Sequence, residues 1–193
     1  MHMFVDESER GSYLLAATLL PPHSLHLTRT AMREMLPAGC RRLHFKTERD
    51  SSRRLIASKL VRSGHPAYVY QGRGPSELVR AILLERLVTD AIDNGVTRLV
   101  LDSRDATANS RDRQTIGVHT KAHAAGLIYE HIESWTEPAL WISDAVAWCH
   151  GAGGDWKRRI SPMVAAVTDI GTAKSAKPRQ RPSGRAPGLT SSP

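Results

Sequence analysis

Asp6, Asp102 and Asp144 are the residues best placed for chemistry, because in each case an apolar stretch delivers a carboxylate. Phe4-Val5-Asp6-Glu7-Ser8 ends an apolar run in two acids and a serine, and Leu99-Val100-Leu101-Asp102 ends another in an acid. Taken alone, each reads as a strand end, since short acids and serines hydrogen-bond nearby backbone and favour turns. The third acid lies inside Pro138-Ala-Leu-Trp141-Ile-Ser-Asp144-Ala-Val-Ala-Trp148-Cys-His150, which is apolar nearly all round and is expected to form a largely buried helix. Asp144 is too far along that helix to cap it. A buried carboxylate must be compensated or held protonated, and either an arginine or a metal shared with other carboxylates would compensate it. Three carboxylates from distant segments suit Mg²⁺, which takes hard oxygen ligands in near-octahedral array. Two such ions about 4 Å apart clamp the attacking and leaving oxygens of a phosphodiester.

Around these acids stand groups of less specific meaning. His44 and Lys46, in Arg41-Arg-Leu-His44-Phe-Lys46, suit phosphate positioning or proton transfer, and equally suit a solvated loop. Arg53 and Arg54 extend this basic run, and Lys157-Arg158-Arg159 form a second one. Glu7 points away from Asp6 if strand geometry persists, which makes it a turn or supporting group. Cys40 with His44, and Cys149 with His150, match no common zinc spacing. Trp135, Trp141, Trp148 and Trp156 lie on and around the apolar helix, so they are core residues first and stacking surfaces second.

The elements that must position these residues follow from pattern. Strands are expected over residues 2–6, 13–20, 67–71, 96–102 and 127–133, with a turn centred on Gly11 between the first two and a turn at Gly72-Arg-Gly74-Pro75 after the third. Helices are expected over 24–36 with Ser24 as cap, 51–62, 76–94, 110–125 and 137–150. Leu55, Ile56, Lys59 and Leu60 mark the apolar face of the second. Residues 162–170 form a short last element. An antiparallel start followed by alternating helices and strands implies an α/β fold: a mixed five-stranded sheet with helices on both faces.

Length and charge limit the alternatives. At 193 residues one domain is expected, over 1–170. No run approaches the ~18 apolar residues of a membrane helix, and no basic segment followed by a long apolar one opens the sequence, so a cytoplasmic protein without a membrane partner is expected. Two distant cysteines suggest no disulfide framework. The net charge is +8, and five of the excess positive charges lie in 171–193, a Pro/Ser/Gly-rich stretch without acids that is expected to be a disordered tail. That tail is either a solvated terminus or a polyanion tether.

Taken together, Val-Asp6-Glu-Ser, Leu43-His44-Phe-Lys46, Leu-Val-Leu-Asp102 and Glu137-Pro-Ala-Leu-Trp-Ile-Ser-Asp144-Ala-Val-Ala-Trp resemble the family called domain of unknown function 3800, over roughly residues 3–165. The resemblance implies a ribonuclease H-like fold and acidic positions similar to those of metal-dependent nucleases and transposases. It implies Asp6, Asp102 and Asp144 as ligands of Mg²⁺ or Mn²⁺. A fourth acid would come from the first crossover helix, where Glu85 is the best candidate; Glu48, following the His-Phe-Lys segment, is the runner-up. The sequence departs from the family in one respect, because Glu9 stands where many members carry glycine. Two functions remain open: a metal-dependent nuclease hydrolysing nucleic acid, in which Glu7, His44 and Lys46 join the three aspartates, and a non-catalytic module that binds nucleic acid or protein.

Overall fold

The computed structural model describes residues 1–118 and 126–174. The expected tail falls outside them from residue 175 onward, as does the end of the helix expected over 110–125.

Strands β1 (His2–Ser8) and β2 (Tyr13–Leu20) form an antiparallel hairpin around Gly11, whose φ of 78° is the left-handed conformation that glycine adopts without cost. Helices α1 (Leu25–Arg33) and α2 (Asp50–Ser63) follow, then β3 (Ala67–Arg73), α3 (Ser76–Asp93), β4 (Arg98–Asp102) and α4 (Ala106–Gly117). The chain continues through β5 (Ile128–Ile132), α5 (Leu140–Ala152), α6 (Gly154–Ile160) and β6 (Val164–Thr172). The strand order is β5-β4-β1-β2-β3-β6, with β2 antiparallel to both β1 and β3, and the pairs β1·β4, β4·β5 and β3·β6 parallel. An antiparallel β1-β2-β3 meander extended by parallel β4 and β5 is the expected ribonuclease H-like α/β arrangement.

The sheet has six strands, not five, because residues 164–172 pair with β3 as its outer neighbour. Their burial shows almost no inward face, so hydrophobic alternation carried little signal for this strand. The Gly72-Arg-Gly74 segment, expected to turn the chain, is instead partly strand. A Cβ on Gly72 would lie 2.6 Å from the Ile170 side chain, so this glycine lets β6 approach closely.

Side-chain alternation splits the core in two. Phe4, Leu14, Ala16, Val69 and Val100 face α1, α2 and α5, while Met3, Val5, Leu15, Leu99 and Leu101 face α3 and α4. Several element details differ from expectation. Ser24 does not cap α1; its hydroxyl donates to Pro21 O from a short 3₁₀ turn. Helix α4 starts earlier, capped by the Asp105 carboxylate, which accepts from Ala108 N–H. On α2 the buried residues are Ile56, Ala57 and Leu60, and Leu55 is exposed. Among the described residues no helix is long and apolar enough to cross a membrane.

Candidate functional site

The hairpin and the crossover set two acids side by side. The parallel register that pairs Val5 with Leu101 carries the next residues, Asp6 and Asp102, to neighbouring strand tips. Adjacent strands run about 4.8 Å apart, and both acids share the face of Phe4 and Val100, which α5 covers. Helix α5 is seated there by Ser143, whose buried hydroxyl donates to Phe4 O at 2.8 Å and lies 2.9 Å from Thr18 Oγ1. Its leading end is tied to α1 through Glu137, which accepts two hydrogen bonds from Arg29 and one from Ala139 N–H. Asp144 follows Ser143 and is thereby placed above the strand tips. Asp6, Asp102 and Asp144 wall one cavity of about 120 Å³, completed by Arg42, His44 and Ser134 among others.

Each carboxylate is held by a backbone donor. Glu7 N–H donates to Asp6 Oδ1 at 2.7 Å, Ser134 N–H to Asp102 Oδ1 at 3.0 Å, and Phe45 N–H to Asp144 Oδ2 at 2.9 Å. His44 Nδ1 lies 3.5 Å from the same Asp144 oxygen. Of the two expected compensations for Asp144, arginine is not the one found: a peptide N–H and an imidazole take that place. Among the described residues neither Asp6 nor Asp102 has an ion pair with arginine, lysine or histidine. Burial, then the charges of Asp144 and Asp102, push Asp6 well above the usual carboxylate range. Burial also raises Asp102, against the hydrogen bonds from Ser134.

The donor chemistry, hard oxygens around a cavity whose Arg42 and His44 make no ion pair with Asp6 or Asp102, fits a divalent cation. The spacing is not ready-made. Among the described residues no three histidine, cysteine, aspartate or glutamate side chains stand close enough together to hold a metal ion.

His44 and Lys46 belong to a short turn pinned by Phe45, which is fully buried with its ring centroid 5.4 Å from that of Trp148. Arg53 reinforces this turn, donating to Phe45 O and lying 4.3 Å above the Trp148 ring. His44 and Lys46 line a second groove of about 480 Å³ that adjoins the cavity at Glu7 and Asp144 and extends to Arg10 and Trp148.

Glu7 lies within β1, not in a turn, and its carboxylate accepts from Tyr13 OH at 2.5 Å and from Arg80. Glu85 is not brought to the site. It is exposed on α3, which packs on the other face of the sheet. Glu48 does not line the cavity either.

Sequence reading missed the buried network behind Glu7. Arg80 makes two 2.7 Å hydrogen bonds to Asp112, which also meets His131 at 3.1 Å and Arg104 at 3.2 Å. Burial alone would raise Asp112, but the bonds from Arg80 and His131 outweigh it and hold the carboxyl far below its usual range. These residues come from separate segments without a shared motif, so no spacing could reveal them. Trp135 is a correction: expected in the core, it is 48% exposed. Burial pushes the Cys149 thiol up to about 12, which removes it as a nucleophile.

Comparison with protein-family models and with curated proteins finds no match. Among solved structures, a chain in the complex of PCNA with RNase HII from Archaeoglobus fulgidus aligns at a TM-score of 0.49 and 15% identity, over 77% of this chain and 70% of that one. A likeness of that degree carries neither activity nor partner across to this chain.

Proposed function

We propose that this chain is a divalent-metal-dependent nuclease in which Asp6, Asp102 and Asp144 hold Mg²⁺ or Mn²⁺, and that it belongs to the domain of unknown function 3800 family its motifs resemble. The observation that carries this reading is the set of three carboxylates from β1, β4 and α5 around one cavity, two of them in no ion pair among the described residues, with Arg42 in the lining acting on Asp102 only from a distance. Burial, then the charges of Asp144 and Asp102, disfavour the charged form of Asp6, and a cation entering the cavity would relieve that. A bound ion would neutralise the cluster and polarise a phosphodiester oxygen. In this reading His44, which lines the cavity and the adjoining groove, would transfer a proton, Lys46 would hold a phosphate, and Glu7, bound by Arg80, would steady β1. All three aspartates line the cavity and are partly exposed to it.

One observation favours a second reading, a non-catalytic nucleic-acid binding module: the acids do not already stand at ligating distance among the described residues. The test is incubation of the purified protein with end-labelled DNA, RNA and a hybrid, in Mn²⁺ and in EDTA. Cleavage is expected in Mn²⁺ only, and Asp144→Asn is expected to reduce it at least about 100-fold with an unchanged circular-dichroism spectrum. No cleavage of any substrate sinks the nuclease reading. Binding that survives Asp144→Asn without cleavage in either protein establishes the second.

A further inference from the structure

The cavity has two flanks of different chemistry. On the β5 side, Trp135 follows Ser134, the residue that holds Asp102, and is 48% exposed with the Arg41 guanidinium 4.6 Å from its ring centroid. The neighbouring Arg42 lines the cavity and donates to Ser134 Oγ at 2.7 Å, so this aromatic and cationic pair sits at the cavity rim. On the hairpin side, the adjoining groove presents Arg10 and Lys46, both exposed, beside His44. Strand order puts the two flanks on opposite sides of the acids, because β5, β4 and β1 lie in that sequence and the β1–β2 turn comes next. A half-exposed tryptophan with an arginine on its face is a stacking platform for a flat π-system, and any unpaired base offers one. A base pair inside a duplex does not, since its neighbours in the stack cover both of its faces.

We propose that an unpaired nucleic-acid strand crosses the carboxylate cavity, with one base stacked at Trp135 and Arg41 and the phosphates beyond the cavity drawn over Arg10 and Lys46. The proposal rests on the reading of the acids as a nucleic-acid site, but not on cleavage. Glu9, which also lines the hairpin-side groove and has no ion pair among the described residues, opposes the phosphates there.

The test is fluorescence anisotropy with the full chain in EDTA, where no metal-dependent cleavage intervenes. The probes are a short labelled oligonucleotide, as DNA and as RNA, and the same sequence as a blunt duplex. The single strand is expected to bind more tightly than the duplex. Trp135→Ala is expected to weaken single-strand binding about ten-fold and leave duplex binding unchanged, while Trp135→Phe retains most of the affinity. Lys46→Gln is expected to weaken binding and reduce the salt slope by about one, and Glu9→Gln to strengthen binding. Equal binding of duplex and single strand, or an unchanged Kd in Trp135→Ala, overturns the proposal. A protein that binds as described yet never cleaves leaves this inference standing and removes the nuclease reading. One that cleaves with Trp135→Ala unaffected does the reverse.

Discussion

Asp6 carries its charge where two other carboxylates already stand, and this makes it the residue most sensitive to conditions. Its folded-state pKa lies well above the ordinary aspartate value near 4, so the folded protein binds that proton more readily than the unfolded chain. The stability associated with the protonated form is fully present below about pH 4 and is lost as pH rises through the raised pKa. In EDTA at neutral pH, Asp6→Asn is therefore expected to raise Tm. A gain of about 1 kcal/mol corresponds to roughly 2–4 °C for a chain of this size. The difference is expected to vanish near pH 4, which thermal melts across pH check directly. A variant that melts lower than wild type at neutral pH would mean that Asp6 is compensated after all.

At the scale of elements, two buried polar contacts fix the helix layers on either side of the sheet that carries the acids. Ser143 docks α5 on β1 and β2, so Ser143→Ala is expected to cost about 1–3 kcal/mol by leaving buried polar partners unsatisfied, measured by urea unfolding. The second contact joins α3 to α4 and to the β1 tip. Arg80 and Asp112 are both buried, and removing one member of such a pair leaves the other charge stranded. Arg80→Met is expected to destabilise by roughly 3–5 kcal/mol in the same measurement. Asp112 is depressed, so its contribution is present above the ordinary aspartate value near pH 4 and is lost as pH falls below it. The element pattern was largely legible in the sequence because apolar alternation and turn residues mark β1 to β5 and the long helices. The sixth strand was not, since it draws its stability from pairing with β3 and buries little of its own surface.

For the whole molecule, the sheet is a two-sided barrier with its candidate chemistry at the ends of two interior strands, β1 and β4. Helices α1, α2 and α5 cover one face, α3 and α4 the other, and the acids open at the strand tips where the α5 layer leaves a cavity. On the proposed reading, a divalent cation would stabilise only the folded form, which alone brings the three carboxylates to one cavity. Millimolar Mn²⁺ is therefore expected to raise Tm of the wild type more at pH 8 than at pH 5, because protons compete for the same oxygens. Asp144→Asn is expected to abolish most of that increment, as differential scanning fluorimetry would show.

The sequence by itself determined that acids would end two strands and interrupt one apolar helix, because hydrophobic period and turn chemistry are local properties of the chain. It also singled out Asp6, Asp102 and Asp144 as acids that could share one place, because two end apolar strands at the same end and the third interrupts an apolar helix. Only the tertiary structure decided that Glu85 stands apart on the far face, that Glu7 answers to Arg80, and that Trp135 emerges at the rim. It decided as well that Asp144 meets a peptide N–H and His44 where an arginine was an equal expectation. Those outcomes depend on the register between strands and the seating of helices on a sheet face, which arise from packing between segments far apart in the chain and leave no periodic trace along it.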